Sequence, residues 1–92
     1  MANTTIIGKV KLSLRITTSQ FDTELADLID ACLLDLGIAG VTEDDTTDFL
    51  IIRAITTYCK MNFGEPDEYD KLKASYDEQK AQLSMASGYT AF

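Results

Sequence analysis

The sequence contains no histidine, a single proline and only two cysteines. Without histidine, neither the Ser-His-Asp nor the Cys-His nucleophile arrangement can be built, and the commonest general base is missing. Two cysteines, Cys32 and Cys59, do not make a zinc site, which takes about four Cys or His ligands. No glycine-rich phosphate loop and no metal-ligand spacing is present. Long apolar runs are missing as well. The longest, Ala31-Cys32-Leu33-Leu34 and Phe49-Leu50-Ile51-Ile52, fall far short of the about 20 residues a membrane-spanning helix needs. The opening Met1-Ala2-Asn3-Thr4-Thr5 lacks the basic-then-apolar order of a secretory signal, so the expectation is a non-membrane chain with reduced thiols. No catalytic, cofactor-binding or metal-binding residue is expected.

What is present points to one acidic helical domain. The chain has 92 residues, one domain's worth, and 46% of them are hydrophobic, too many for a disordered chain. A chain of this length buries only about 60–65% of its unfolded surface, so partners have room to contribute. Fifteen acids against eight bases leave a net charge of −7, and the charge is segregated. Residues 1–20 carry Lys9, Lys11 and Arg15 and no acid. Residues 21–50 carry nine acids and no base, and the remainder is nearly balanced. A positive terminus beside a strongly negative middle permits head-to-tail contacts between copies. It disfavours tight binding to a phosphate backbone, which scales with clustered Lys and Arg.

The periodicity yields four helices. Over residues 6–16, Val10, Leu12, Leu14 and Ile16 alternate as in a strand, while Ile7, Val10 and Leu14 fit a helical stripe. A lone strand would have no pairing partner, so a short helix is expected. Leu25, Leu28, Ile29, Cys32, Leu33 and Leu36 form one continuous helical face over about 21–36. Ser19 and Asp22 stand before it as a cap pair, and Gly37 is expected to stop it in the left-handed conformation. A loop over 37–46 should tuck Ile38 and Val41 into the core.

The third helix should run from about Thr47 to Asn62. Ile51, Ala54, Ile55, Tyr58 and Asn62 form its stripe, and Phe49, Ile52 and Cys59 widen it. An apolar girth of that kind marks a central helix or one facing a second subunit. Pro66, Asp67 and Glu68 open a fourth helix that repeats Tyr69, Leu72, Tyr76 and Leu83, with Gln79 as a polar interruption. The short link makes it the antiparallel neighbour of the third. The fold class is therefore all-α, a small bundle of about four helices over residues 1–83, with a short extended, flexible C-terminal tail over 84–92. The expected core is Leu25, Leu28, Ile29, Leu33, Leu36, Ile51, Ala54, Ile55, Tyr58, Leu72 and Tyr76. The second and third helices should form its centre.

Few constellations suggest a site. Glu43-Asp44-Asp45 with Asp48 lacks the spacing of a calcium loop and reads as a solvated acidic loop. Tyr89 and Phe92 read either as aromatic anchors for a partner's pocket or as a flap on their own subunit. The basic residues Lys9, Lys11 and Arg15 are the other interface candidates.

The sequence also resembles a known family. Lys9-Val10-Lys11-Leu12-Ser13-Leu14-Arg15-Ile16-Thr17-Thr18 followed by Phe21-Asp22 is similar to the opening of the small head–tail connector (adaptor, DNA packaging) proteins of long-tailed bacteriophages and prophages. Leu28-Ile29-Asp30-Ala31 leading to Asp35-Leu36-Gly37-Ile38 adds to the likeness. So does the run from Ala54 to Gly64 followed by Tyr69, Leu72 and Tyr76. The resemblance covers residues 6–83. It implies a non-enzymatic subunit that forms a homo-oligomeric ring beneath the portal protein, extends the DNA channel and receives the next tail-side connector or stopper protein. DNA would pass without sequence-specific binding, and no cofactor is implied. The implied place is the head–tail junction of the virion, assembled in the bacterial host cytoplasm. The competing reading is a small acidic helical regulatory module of antitoxin or anti-repressor type.

Overall fold

A computed structural model describes residues 4–38, 49–63 and 67–85 of the chain. It contains four helices in chain order: α1 (Thr4–Leu14), α2 (Asp22–Ile38), α3 (Phe49–Asn62) and α4 (Tyr69–Met85). No strand occurs among the described residues.

The third helix is the hub, in contact with all three others. Ile51, Ala54, Ile55, Cys59 and Met61 are buried along it. At about 100° per residue these positions spread over an arc of about 160°, close to half of the helix surface, which is more than one neighbouring helix covers. α2 contributes Leu25, Ile29, Cys32 and Leu36, and α4 contributes Tyr76 and Leu83. α1 closes the remaining side with Ile6 and Val10. Leu28, Leu33, Tyr58 and Leu72 pack against this cluster half-buried, forming its margin. α2 and α3 thus supply most of the buried core, as expected, with α3 the hub that also meets α4 and α1. α3 and α4 form the expected hairpin, with the Tyr58 and Tyr76 rings 5.2 Å apart and edge-on. Phe21, just before α2, meets Phe63, just after α3, in a T-shaped contact at 5.3 Å.

The ambiguous opening segment is helical. Its alternating reading needed Leu12 on the buried face, yet Leu12 is 81% exposed while Ile6 and Val10 are fully buried. α1 ends in a Schellman arrangement: the Ile16 N–H donates to the Lys11 carbonyl at 2.9 Å, and the Arg15 N–H to the Leu12 carbonyl at 3.2 Å. Arg15 occupies the left-handed position of this motif, at φ 61°. Glycine usually sits there, because any Cβ crowds the neighbouring carbonyl at a cost of about 1 kcal/mol.

Several sequence expectations are corrected. Gly37 does not stop α2. The helix runs through it to Ile38, and its φ lies outside the left-handed range. Asp22 is not a cap. The Asp22 N–H donates to the Ser19 carbonyl at 3.2 Å, and its carboxylate pairs with Lys11 at 2.8 Å. Phe49 does not widen the α3 core stripe, being 80% exposed, and Asn62 turns outward to donate to the Tyr58 carbonyl at 2.9 Å. Gln79, by contrast, is the polar interruption expected on the α4 seam: it is buried there, and its amide donates to Ser75 Oγ at 3.1 Å. α4 includes Ser84 and Met85, the first two residues of the expected tail, while 86–92 lie outside the described residues. So do Val41 and the acidic loop at 43–48.

Two substitutions test these helix ends. An ideal Cβ on Gly37 meets nothing within 4 Å. Gly37→Ala should therefore stabilise the protein by about 0.5 kcal/mol, whereas a left-handed cap would make it destabilising. Arg15→Gly should raise stability by a similar amount, about 0.5 kcal/mol, through relief of the left-handed backbone. Urea titration of each variant reads the sign directly.

Candidate interaction surfaces

The described residues hold no group of three or more His, Cys, Asp or Glu placed to share a metal ion, and no helix long and apolar enough to cross a membrane. Two polar features and one apolar one stand out instead.

The first is a polar node joining α2 to α4 over the hub. The Tyr76 hydroxyl donates to Asp35 Oδ2 at 2.6 Å, and Lys80 Nζ donates to the same oxygen at 3.2 Å. Lys80 also lies 5.3 Å from the centre of the Tyr76 ring, and Cys32 Sγ is 3.7 Å from the Tyr76 hydroxyl. A buried tyrosine needs a partner for its hydroxyl, and Asp35 supplies it from the neighbouring helix. Partial burial alone would raise the Asp35 pKa. The hydrogen bonds from Tyr76 and Lys80, with the Lys80 charge, outweigh that and hold the carboxyl below its ordinary value. Burial first, and then the bond to Asp35, push the Tyr76 phenol well above its ordinary value. The node is a structural clamp between two helices.

Cys32 and Cys59 are both buried and free. Burial pushes each thiol up to about 12, which leaves them protonated and inert at neutral pH.

The second polar feature is a depression of about 410 Å³ where α1, α3 and α4 converge. Half-buried Leu14, Phe63 and Leu72 line it together with Arg15, Lys60, Asp67 and Glu68. Two cations face two anions there, so the rim favours neither sign of ligand.

The candidate interface residues fall in different places. Lys9 is exposed, its Nζ 5.8 Å from the centre of the Phe49 ring. Lys11 is half-buried and turned inward to Asp22, which ties α1 to the start of α2. Arg15 is exposed beside the depression. The three bases therefore do not form one patch. Tyr89 and Phe92 lie outside the described residues.

The reading of the candidates missed a set of exposed apolar side chains: Leu12, Leu34 and Phe49, each more than 70% exposed, and Met85. A signal for two of them was present. Leu12 falls off the 7-10-14 stripe of the first helix, and Leu34 off the 25-28-29-32-33-36 face of the second.

The described residues thus form a helical module that leaves several large apolar side chains in solvent. A family model described as phage connector protein matches residues 6–90, nearly the whole chain. The chain belongs to the phage connector protein family. No curated protein and no solved structure matches it.

The node generates a pH test. The stabilisation from Asp35 is complete above the unfolded carboxylate pKa of about 4 and is lost as pH falls through the lower folded value. Asp35→Asn should therefore be less stable at neutral pH and show a flatter stability profile between about pH 5 and about pH 2. Tyr76→Phe should cost about 1.5 kcal/mol, the low end for a charge-assisted bond because this one is only partly buried and Lys80 still holds the carboxylate. Denaturant titrations across pH measure both. In the thiol test, a maleimide at neutral pH should leave Cys32 and Cys59 unmodified in the native protein and modify both in urea, read by mass spectrometry.

Proposed function

We propose that this chain is a head–tail adaptor subunit. Copies form a ring beneath the portal protein, extend the DNA channel and receive the next tail-side connector or stopper protein. The observation that carries this reading is the phage connector match over residues 6–90. Family membership implies a virion component in contact with other phage proteins, and the proposal specifies where it sits and what it touches.

The physical properties support that role. The net charge of −7 is what a channel wall requires if DNA is to slide past without sticking, because each phosphate contact neutralised by Lys or Arg adds affinity. The work is geometric, with no reaction catalysed. Assembly would take place in the host cytoplasm and end at the head–tail junction. A ring shares its energetics among many repeated interfaces, so each can be modest.

Light scattering on the protein alone, and then mixed with the portal protein encoded by the same phage or prophage, tests the role. The expected outcome is a stable complex of the two, with mass equal to the portal ring plus a ring of this chain. A tight dimer that does not co-elute with assembled portal would overturn it.

A further inference from the structure

The exposed apolar residues are not scattered at random with respect to charge. On α1, Lys9 and Leu12 stand three apart on one outward face. The Lys9 ammonium lies against Phe49, at the start of α3, so the two helices build one patch. Leu12 and Phe49 are 81% and 80% exposed, far more than the margin of the core requires. No acidic side chain lies on α1. On α2, Asp27 and Leu34 stand seven apart on one outward face with Glu24 beside them. Leu34 is 72% exposed, and α2 carries no basic residue at all. Glu24 and Asp27 make no ion pair among the described residues.

Among the described residues, each face has an apolar centre and charge of one sign, and the signs are opposite. Charge at the rim of an apolar contact steers association and suppresses wrong pairings. Self-pairing of either face would set like charges together. Two different faces on one chain make a heterologous contact, which propagates from copy to copy and closes into a ring when the rotation permits.

We infer that the Lys9–Leu12–Phe49 face of one copy docks on the Glu24–Asp27–Leu34 face of α2 in a second copy of this chain. This rests on the adaptor reading and names the surfaces that would join its subunits. Lys11 takes no part, because it is spent within its own copy on Asp22. The contact weakens as salt is raised, since its charges sit at the rim.

Cross-linking with a short bis-maleimide tests the pairing. The native thiols are buried, so introduced cysteines report alone. A Leu12→Cys variant mixed with a Leu34→Cys variant should give a heterodimer. Leu12→Cys by itself should give none, and the double variant should give a ladder. Gln82→Cys, on exposed α4, is the control partner and should not link to Leu12→Cys. Linking of Leu12→Cys to itself, equal linking to Gln82→Cys, or no linking to Leu34→Cys would overturn the proposal. Lys9→Glu should weaken the association about tenfold or more, and pairing it with Asp27→Lys should restore it. Failure of the swap to restore association also overturns it. Portal binding by the wild type without the Leu12–Leu34 link removes this interface and leaves the adaptor role standing. The link without portal binding does the reverse.

Discussion

A 14-residue helix with an apolar face close to half its surface cannot persist alone in water. Isolated helices of that length are marginal at best, and α3 alone would leave Ile51, Ile55, Cys59 and Met61 in water across one broad face. Burying a side chain such as Ile51 or Ile55 is worth about 1.5–3 kcal/mol. That gain is available only if neighbours arrive from more than one direction. The demand explains the architecture: α2 and α4 flank α3, and α1 covers what they leave open. It also explains why the first segment is a helix. Its role is to present Ile6 and Val10 to α3, one turn apart on one face, which a strand could not do with Leu12 left in solvent.

Hydrophobic cladding alone would let the flanking helices slide, because apolar contact is non-directional. Direction comes from a few polar contacts between helices. The Asp35 carboxylate, held by Tyr76 and Lys80, ties α2 to α4 at one level of the bundle. Lys11 and Asp22 tie α1 to α2 at the other side of the α1–α2 connection. The edge-on contacts Phe21–Phe63 and Tyr58–Tyr76 set the rotation of α2 and α4 about the hub.

Most of this was legible in the residues, and the exceptions have physical causes. The α2 face from Leu25 to Leu36 and the α3 face from Ile51 to Tyr58 follow from a spacing of three and four, and their packing follows from that. Two things did not. Gly37 carries a strong local preference for ending a helix, yet the backbone there continues to Ile38. Local propensity is weaker than the hydrogen bonding of a helix already formed. Phe49 widens the expected α3 stripe by its apolar character, yet about 200° of helical rotation from Ile51 turns it to solvent. Among the interface candidates, nothing in the sequence says that Lys11 pairs with Asp22 while Lys9 meets no acid among the described residues. That distinction depends on where Asp22 lies after the chain turns at Arg15.

The turn at Arg15 connects the fold to its surface chemistry. The left-handed backbone there costs about 1 kcal/mol, a substantial fraction of what a domain this small can spare. It sets α1 across the bundle so that Lys11 reaches Asp22 and Lys9 is left beside Phe49. α1 thereby keeps one net positive outward face on a molecule whose charge is −7. A uniformly acidic subunit would repel its copies, and a uniformly mixed one would pair in many orientations. Segregating the few cations onto one helix and leaving apolar groups beside them allows an acidic chain to attract another copy of itself in one direction only.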